Sequence, residues 1–232
     1  LSQYFRENYA RSLQNYPLIS SPVNITRIEI WITNRNASVE DFRSIVALAD
    51  IAEPVADNYV SLDGLVIPSL SAPTVNGVAL PTNQSNNISN ALTSPQIRDI
   101  ATVDNYLSGT YGMSQGSDYS LLQNARKLQP NEYTLNSRLG FISLNRRLND
   151  GEVLAVSFEY TVVGASNGET SFKVGEFSND GISSPENLAV KLLRSEILTT
   201  KRTVAGTEEA FPTWNLMMKN IYALGASPLS PD

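Results

Sequence analysis

Two glutamates, Glu159 and Glu176, interrupt stretches that otherwise read as β-strand, where charge is least expected. If strands over residues 153–163 and 171–178 lie side by side, both carboxylates approach one point. A carboxylate pair a few ångströms apart is the machinery of glycoside hydrolysis. The simpler reading is structural: Glu159 falls on the polar face of its strand, and Glu176, near a strand end, has Lys173 or Arg146 as a partner. The triplet Asn-Asp-Gly occurs at 149–151 and again at 179–181. Its oxygens are calcium-type ligands, but neither copy has the EF-hand spacing and no loop gathers three carboxylates. Both read more simply as turns, the first as a tight hairpin turn, because these residues tolerate positive φ. Asn-x-Ser/Thr triplets start at Asn24, Asn36, Asn83 and Asn87, as expected by chance in a chain rich in Asn and Ser. Tyr4, Tyr9, Tyr16, Tyr59, Tyr106 and Tyr111 form a sugar-stacking platform if they share a face, and ordinary amphipathic packing otherwise.

The chain has no Cys and no His. That removes thiol nucleophiles, Ser-His-Asp catalysis, zinc sites and most transition-metal sites together. Paired carboxylates and a Ser-Lys dyad remain, and no cofactor or metal is expected. Seventeen basic against 23 acidic residues give a formal charge of −6, and the basic residues cluster only as Arg126-Lys127 and Arg146-Arg147. Two isolated doublets do not make a phosphate-binding groove, so nucleic acid is not an expected partner. No apolar run approaches the roughly 20 residues that a membrane-crossing helix needs. The chain starts at Leu1 and ends at Asp232, which reads as a piece of something longer.

The elements that would position these residues are mostly strands. In Leu154, Val156, Phe158, Tyr160 and Val162 apolar side chains recur at every second position, opposite the smaller and more polar Val153, Ala155, Ser157, Glu159 and Thr161. A period of two predicts a half-buried strand, the central one of three between Tyr133 and Gly181. Ile28, Ile30 and Ile32 alternate with Arg27, Glu29, Trp31 and Thr33 in a second strand with one face buried, and Leu188, Val190 and Leu192 mark a third. Residues 37–53 fit a capped helix or a strand over 44–51 buried on both faces; a turn at 34–41 followed by a strand is preferred. Residues 118–128 read as strand or short helix.

Helical spacing is seen at two ends. Phe5, Tyr9 and Leu13 predict an amphipathic helix within residues 4–16. Trp214, Met217, Met218, Ile221 and Leu224 predict another, with Thr213 as N-cap and Gly225 as C-cap. Such a Trp and Met stripe reads as core or, alternatively, as a partner-binding surface comprising Trp214, Met217, Met218 and Tyr222. Residues 55–117 are rich in Pro, Ser, Asn and Gly and read as a loop-rich, partly helical insertion or lid, with Asn83 to Asn90 on its surface. Within it Ser94-Pro95 predicts a helix start running through Leu107, and residues 109–117 a flexible loop. Residues 199–210 are polar and are expected to be mobile. The fold class is therefore mainly β with minor α, an antiparallel β-sandwich-like domain over residues 1–232.

Long strings add a resemblance. YFRENYARSLQNYP, ITRIEIWITNRN, NARKLQPNEYTLNSRLGFISLNRRLNDGEVLAVSFEY, KVGEFSNDG and WNLMMKNIYALGA occur in this order. Together they resemble the SprA/Sov family, the very large outer-membrane proteins of type IX protein secretion and gliding motility in Bacteroidota. The resemblance covers most of the chain, leaving out 55–117, 164–170 and 199–210. It implies a soluble, non-enzymatic domain of a β-barrel translocon, associated with the outer membrane on its periplasmic or cell-surface side. The partners it implies are other type IX secretion components and secreted cargo. The repeated lipid-facing strands and aromatic girdles of a barrel wall are missing from this stretch. Two other readings follow from the residues alone: a carbohydrate-binding β-sandwich module of a surface adhesin, and, with less support, a glycoside hydrolase using Glu159 and Glu176.

Overall fold

The computed structural model describes residues 3–35, 42–55, 66–70, 72–197, 199, 201–204, 207–210 and 212–218. In chain order the elements are α1 (Gln3–Ser12), β1 (Val23–Thr33), β2 (Phe42–Leu48), β3 (Thr74–Val75), β4 (Val78–Ala79), α2 (Ile88–Thr93) and α3 (Val103–Tyr111). They continue as β5 (Tyr119–Lys127), β6 (Tyr133–Asn136), β7 (Phe141–Leu144), β8 (Leu154–Val162), β9 (Ser171–Val174), β10 (Leu188–Arg194), β11 (Lys201–Val204) and β12 (Thr207–Ala210). The class is mainly β with few helices, as the alternation predicts.

The main sheet has the order β1-β5-β2-β10-β8-β9, and β1 also pairs with β8. β8 runs antiparallel to β1 from Val162 opposite Val23 to Leu154 opposite Ile32, while its other edge serves β10 and then β9. The ring β1-β5-β2-β10-β8 therefore returns to its start, with β9 alongside. One sheet closed on itself supplies the two facing layers that a sandwich would supply. β2 and β10 are parallel, with Val46 opposite Ala189; the other pairings of the ring are antiparallel.

Closure explains why the strands are more buried than their alternation suggests. Trp31, Ile45, Ala47, Leu122, Ala125, Ala155, Leu188, Val190 and Leu192 come from all five strands of the ring and pack in one cluster inside it. The face of β8 expected to be polar is thus buried at Ala155 and Ser157, and only Glu159 and Thr161, beyond the ring, reach water. β1 is likewise buried on both faces at Ile30, Trp31 and Ile32. Outside the ring, α2, the 3-10 turn at Pro95–Ile97 and α3 cover Val46, Leu48 and Ala189, placing Ile88, Ile97, Val103 and Leu107 against the sheet. Helix α1 covers Val156, Phe158 and Tyr160 with Tyr4 and Phe5, whereas Tyr9 and Leu13 are only half-buried. The β6–β7 hairpin covers Ile30 and Ile32.

Several local expectations need correction. Residues 133–181 hold four strands, because β6 and β7 form their own hairpin beside the ring. Asn149-Asp150-Gly151 is consequently not a hairpin turn but the loop leading from that hairpin to β8, with Gly151 at φ +72°. Ser94 does cap a start, its Oγ accepting the Gln96 N–H, but only of a 3-10 turn at Pro95–Ile97. Asp99 then accepts the Ala101 N–H on its side chain and the Thr102 N–H on its carbonyl, and α3 begins afresh. Residues 109–117 are not a free loop: α3 continues to Tyr111 and ends on Gly112 in the left-handed region. Nor is Asn83 to Asn90 a surface, since Ser85 and Asn86 are buried and Asn86 Nδ2 donates to the carbonyls of Asp50 and Glu53. Residues 201–204 and 207–210 pair as the hairpin β11–β12. The described part of the C-terminal stripe is a 3-10 turn at Pro212–Leu216 that contains Thr213, so Thr213 is not its N-cap. Ile221, Tyr222, Leu224 and Gly225 lie outside the described residues. The preferred strand is present as β2 and residues 118–128 hold strand β5, while residues 36–41 of the expected turn lie outside the described residues.

Candidate functional site

The carboxylates singled out in the sequence have separate structural partners. β8 and β9 are neighbours, with Glu159 opposite Lys173, and Glu159 Oε1 accepts a 2.9 Å hydrogen bond from Ser171 Oγ at the exposed end of the sheet. Glu176 lies past β9 and is gripped from elsewhere. Arg98 Nη1 and Nη2 donate to its two oxygens at 2.6 and 2.7 Å, and the Ala189 N–H donates to Oε2 at 2.8 Å. Neither Lys173 nor Arg146 is its partner: Lys173 pairs with Asp180 and Arg146 with Glu152. With both oxygens committed to fixed donors, Glu176 is built as a clamp and not as an acid or nucleophile.

The two Asn-Asp-Gly triplets are also absorbed into local structure. Asp180 accepts from Lys173 Nζ at 2.6 Å and from the Phe177 N–H, while Arg27 reaches Asn179 and Asp180 and lies 3.7 Å above the Phe177 ring. Burial pushes the Asp180 carboxyl up, but Lys173 and the Phe177 N–H outweigh it and hold it below its ordinary value. The first triplet is fastened by buried Glu152, which takes the Asn149 N–H and two bonds from Arg146 Nη2 at 2.7 and 2.8 Å. Among the described residues, no three carboxylates gather where a metal ion would sit.

Beside this loop is a polar cleft of about 430 Å³ bordered by Arg35, Arg126, Arg146, Glu132 and Glu152. Arg126 grips Glu132 through two bonds of 2.7 and 2.8 Å, and Glu132 also accepts the Gln129 N–H. The Arg126 bond holds the Glu132 carboxyl below its ordinary range; for Glu152, burial pushes up but the Asn149 N–H and Arg146 overcome it. Arg126 and Arg146 thus spend their charge on carboxylates.

A more apolar groove of about 460 Å³ opens on the other side of Arg146. β7 and its following loop contribute Leu144 and Leu148, the end of β10 contributes Arg194, and Ile197, Trp214 and Met217 complete the walls. Trp214 and Met217 come from the sequence-predicted stripe; Met218 is exposed and does not border the groove, and Tyr222 lies outside the described residues. Arg194 is the residue that sequence reasoning missed. Its Nη1 is buried without a hydrogen-bond partner among the described residues, and burial pulls its pKa down against the opposing pull of Asp150 and Glu152. The signal for it was a second cation, after Lys191, at the end of a mainly apolar strand. An apolar hollow with a few convergent polar groups is the usual make-up of a binding pocket.

The family model SprA_N, described as "Motility related/secretion protein", matches residues 2–149. The chain belongs to this family. The matched region runs from the start of α1 through the ring's first three strands to the loop before β8, so family membership rests on most of the fold's framework. No curated protein matches the chain. Among the described residues no helix of this SprA_N member is long and apolar enough to cross a membrane.

Proposed function

We propose that this chain is a non-enzymatic domain of a SprA-like outer-membrane protein, required for type IX protein secretion and gliding motility, and that it acts through contacts with other secretion components or cargo. The observation that carries the reading is the motility and secretion family match over residues 2–149. The string resemblance extends it to WNLMMKNIYALGA, the segment holding Trp214 and Met217. The interaction surface is the groove of Trp214, Met217 and Arg194, with exposed Met218 next to Met217 in the chain. It has the composition of a binding surface: an aromatic and a methionine for contact area and an arginine for a partner's carboxylate.

The test is genetic. Removing residues 1–232 from the parent protein abolishes secretion or gliding while the rest of the protein still reaches the envelope. The paired change Trp214→Ala and Met217→Ala lowers secretion without shifting the melting of the domain. Full secretion by the deletion strain would overturn the reading.

A further inference from the structure

Lys191 and Glu53 form an ion pair from which water is almost wholly excluded. Their side chains are 1% and 3% exposed, and Lys191 Nζ lies 2.5 Å from Glu53 Oε1. A buried ion pair recovers its desolvation cost only if its geometry is good and its remaining protons and lone pairs find partners. This pair meets the first condition and fails the second. An ammonium has three donors, and Nζ gives them two acceptors, Glu53 Oε1 and the Ala49 carbonyl at 2.5 Å. Glu53 Oε2 has no hydrogen-bond partner among the described residues.

The pair is also held in place from both sides. Lys191 projects from β10 and borders a cavity of about 30 Å³ walled by Phe5, Val156, Phe158 and Leu193. Glu53 sits in the turn after β2, where its N–H donates to the Asp50 carbonyl and its own carbonyl accepts from buried Asn86 Nδ2 at 2.9 Å. An amine and a carboxyl group are thus fixed in contact, in a dry site, and among the described residues the amine has one other acceptor, the Ala49 carbonyl. Holding two reactive groups together in this way replaces a bimolecular encounter by an intramolecular one.

We propose that, once the chain has folded, Lys191 Nζ and Glu53 Cδ become joined by an intramolecular amide bond. The step balances without oxidant or cofactor. Lys191 passes one proton to the Glu53 carboxylate, leaving an amine and a carboxylic acid. The nitrogen lone pair forms the N–Cδ bond, one Cδ–O bond breaks, and that oxygen leaves with two hydrogens as water. The nitrogen keeps one hydrogen, and both buried charges disappear. The bond would fasten β10 to the turn after β2, the two members of the ring's parallel pair, across 138 positions of chain.

Mass spectrometry of the protein purified from its own cells, denatured and digested with trypsin, tests this directly. Trypsin does not cut after an acylated lysine. The expected product is a branched species joining residues 44–98 to residues 174–194, lighter by one water than the sum of its arms and uncut at Lys191. Recovery of linear 44–98 and of 174–191, cut at Lys191, in place of the branched species would overturn the proposal and leave a plain ion pair. Because no variant is needed, a folding defect cannot mimic either result.

Discussion

Arg98 and Glu176 meet through two parallel hydrogen bonds of 2.6 and 2.7 Å, although 78 positions separate them in the chain. Arg98 also donates to the carbonyls of Asn187 and Leu92, so one guanidinium ties the end of α2 to the strand ends past β9 and before β10. The pair is largely shielded, with side-chain exposures of 21% and 12%. Removing one partner strands the other. Arg98→Ala is therefore expected to cost about 3 kcal/mol, read as a drop in the urea midpoint. An unchanged midpoint would show that α2 and α3 are held by apolar packing alone.

Acid should weaken the fold through three carboxylates. Glu132, Glu152 and Asp180 have folded pKa values below 4.5, 4.5 and 3.8 respectively, their ordinary ones. At low pH the unfolded chain then binds more protons than the folded one, so stability rises with pH. Their contribution is complete above the ordinary values and is lost as pH falls through the lower folded ones. Urea midpoints should hold steady on descending to about pH 5 and then fall. Glu152→Gln, which cannot titrate, should show a shallower fall; a slope equal to that of the unaltered protein would contradict the assignment.

Alkali should act through tyrosines. Burial pushes Tyr111 up to about 12, and Tyr119 and Tyr160 higher still. A raised folded value means that stability is full below the ordinary 10.0 and declines as pH climbs beyond it. Tyr160 is buried and donates to the Pro81 carbonyl at 2.8 Å; the Tyr119 hydroxyl donates to Asp104. Phenolate absorbance should rise in two stages, the later one coinciding with loss of the circular dichroism signal. A single stage near 10 with the fold intact would disprove the burial of these hydroxyls.

Gly140 has φ +66°, and a Cβ built there would lie 2.1 Å from the Phe5 ring. Gly140→Ala combines backbone strain with eviction of Phe5 from its contacts with Phe158 and Tyr160. The expected cost is about 2–4 kcal/mol. Limited proteolysis should then cut within residues 3–12 before any other part of the chain. Cleavage elsewhere first would mean that α1 is not what Gly140 secures.

Strands β1, β8 and β10 were legible because their apolar residues repeat every second position, and period is a local property. Ring closure was not legible, since nothing in VNITRIEIWIT states that one edge meets β8 and the other β5. The burial of Ala155, Ser157 and Trp31 followed from that closure and was missed with it. The β11–β12 hairpin was missed for a different reason: its described cross-strand support is an exposed Lys201–Glu208 pair at 2.7 Å, with no apolar alternation to announce it. At the candidate site, Trp214 and Met217 stood out by residue type. Glu176 stood out as a charge in a strand-like stretch, but its partner Arg98, 78 positions away, did not, and neither did Arg194, whose Nη1 lacks a partner among the described residues.

The alanines at 47, 125 and 155 leave room inside the ring for the indole of Trp31, and Ile45, Leu122, Leu188, Val190 and Leu192 fill the rest. Rings of about eight strands have interiors just wide enough to be filled by side chains, and five enclose less. Among the described residues the ring is therefore a solid post: its interior is filled by its own side chains, and it offers other molecules surfaces and not a lumen.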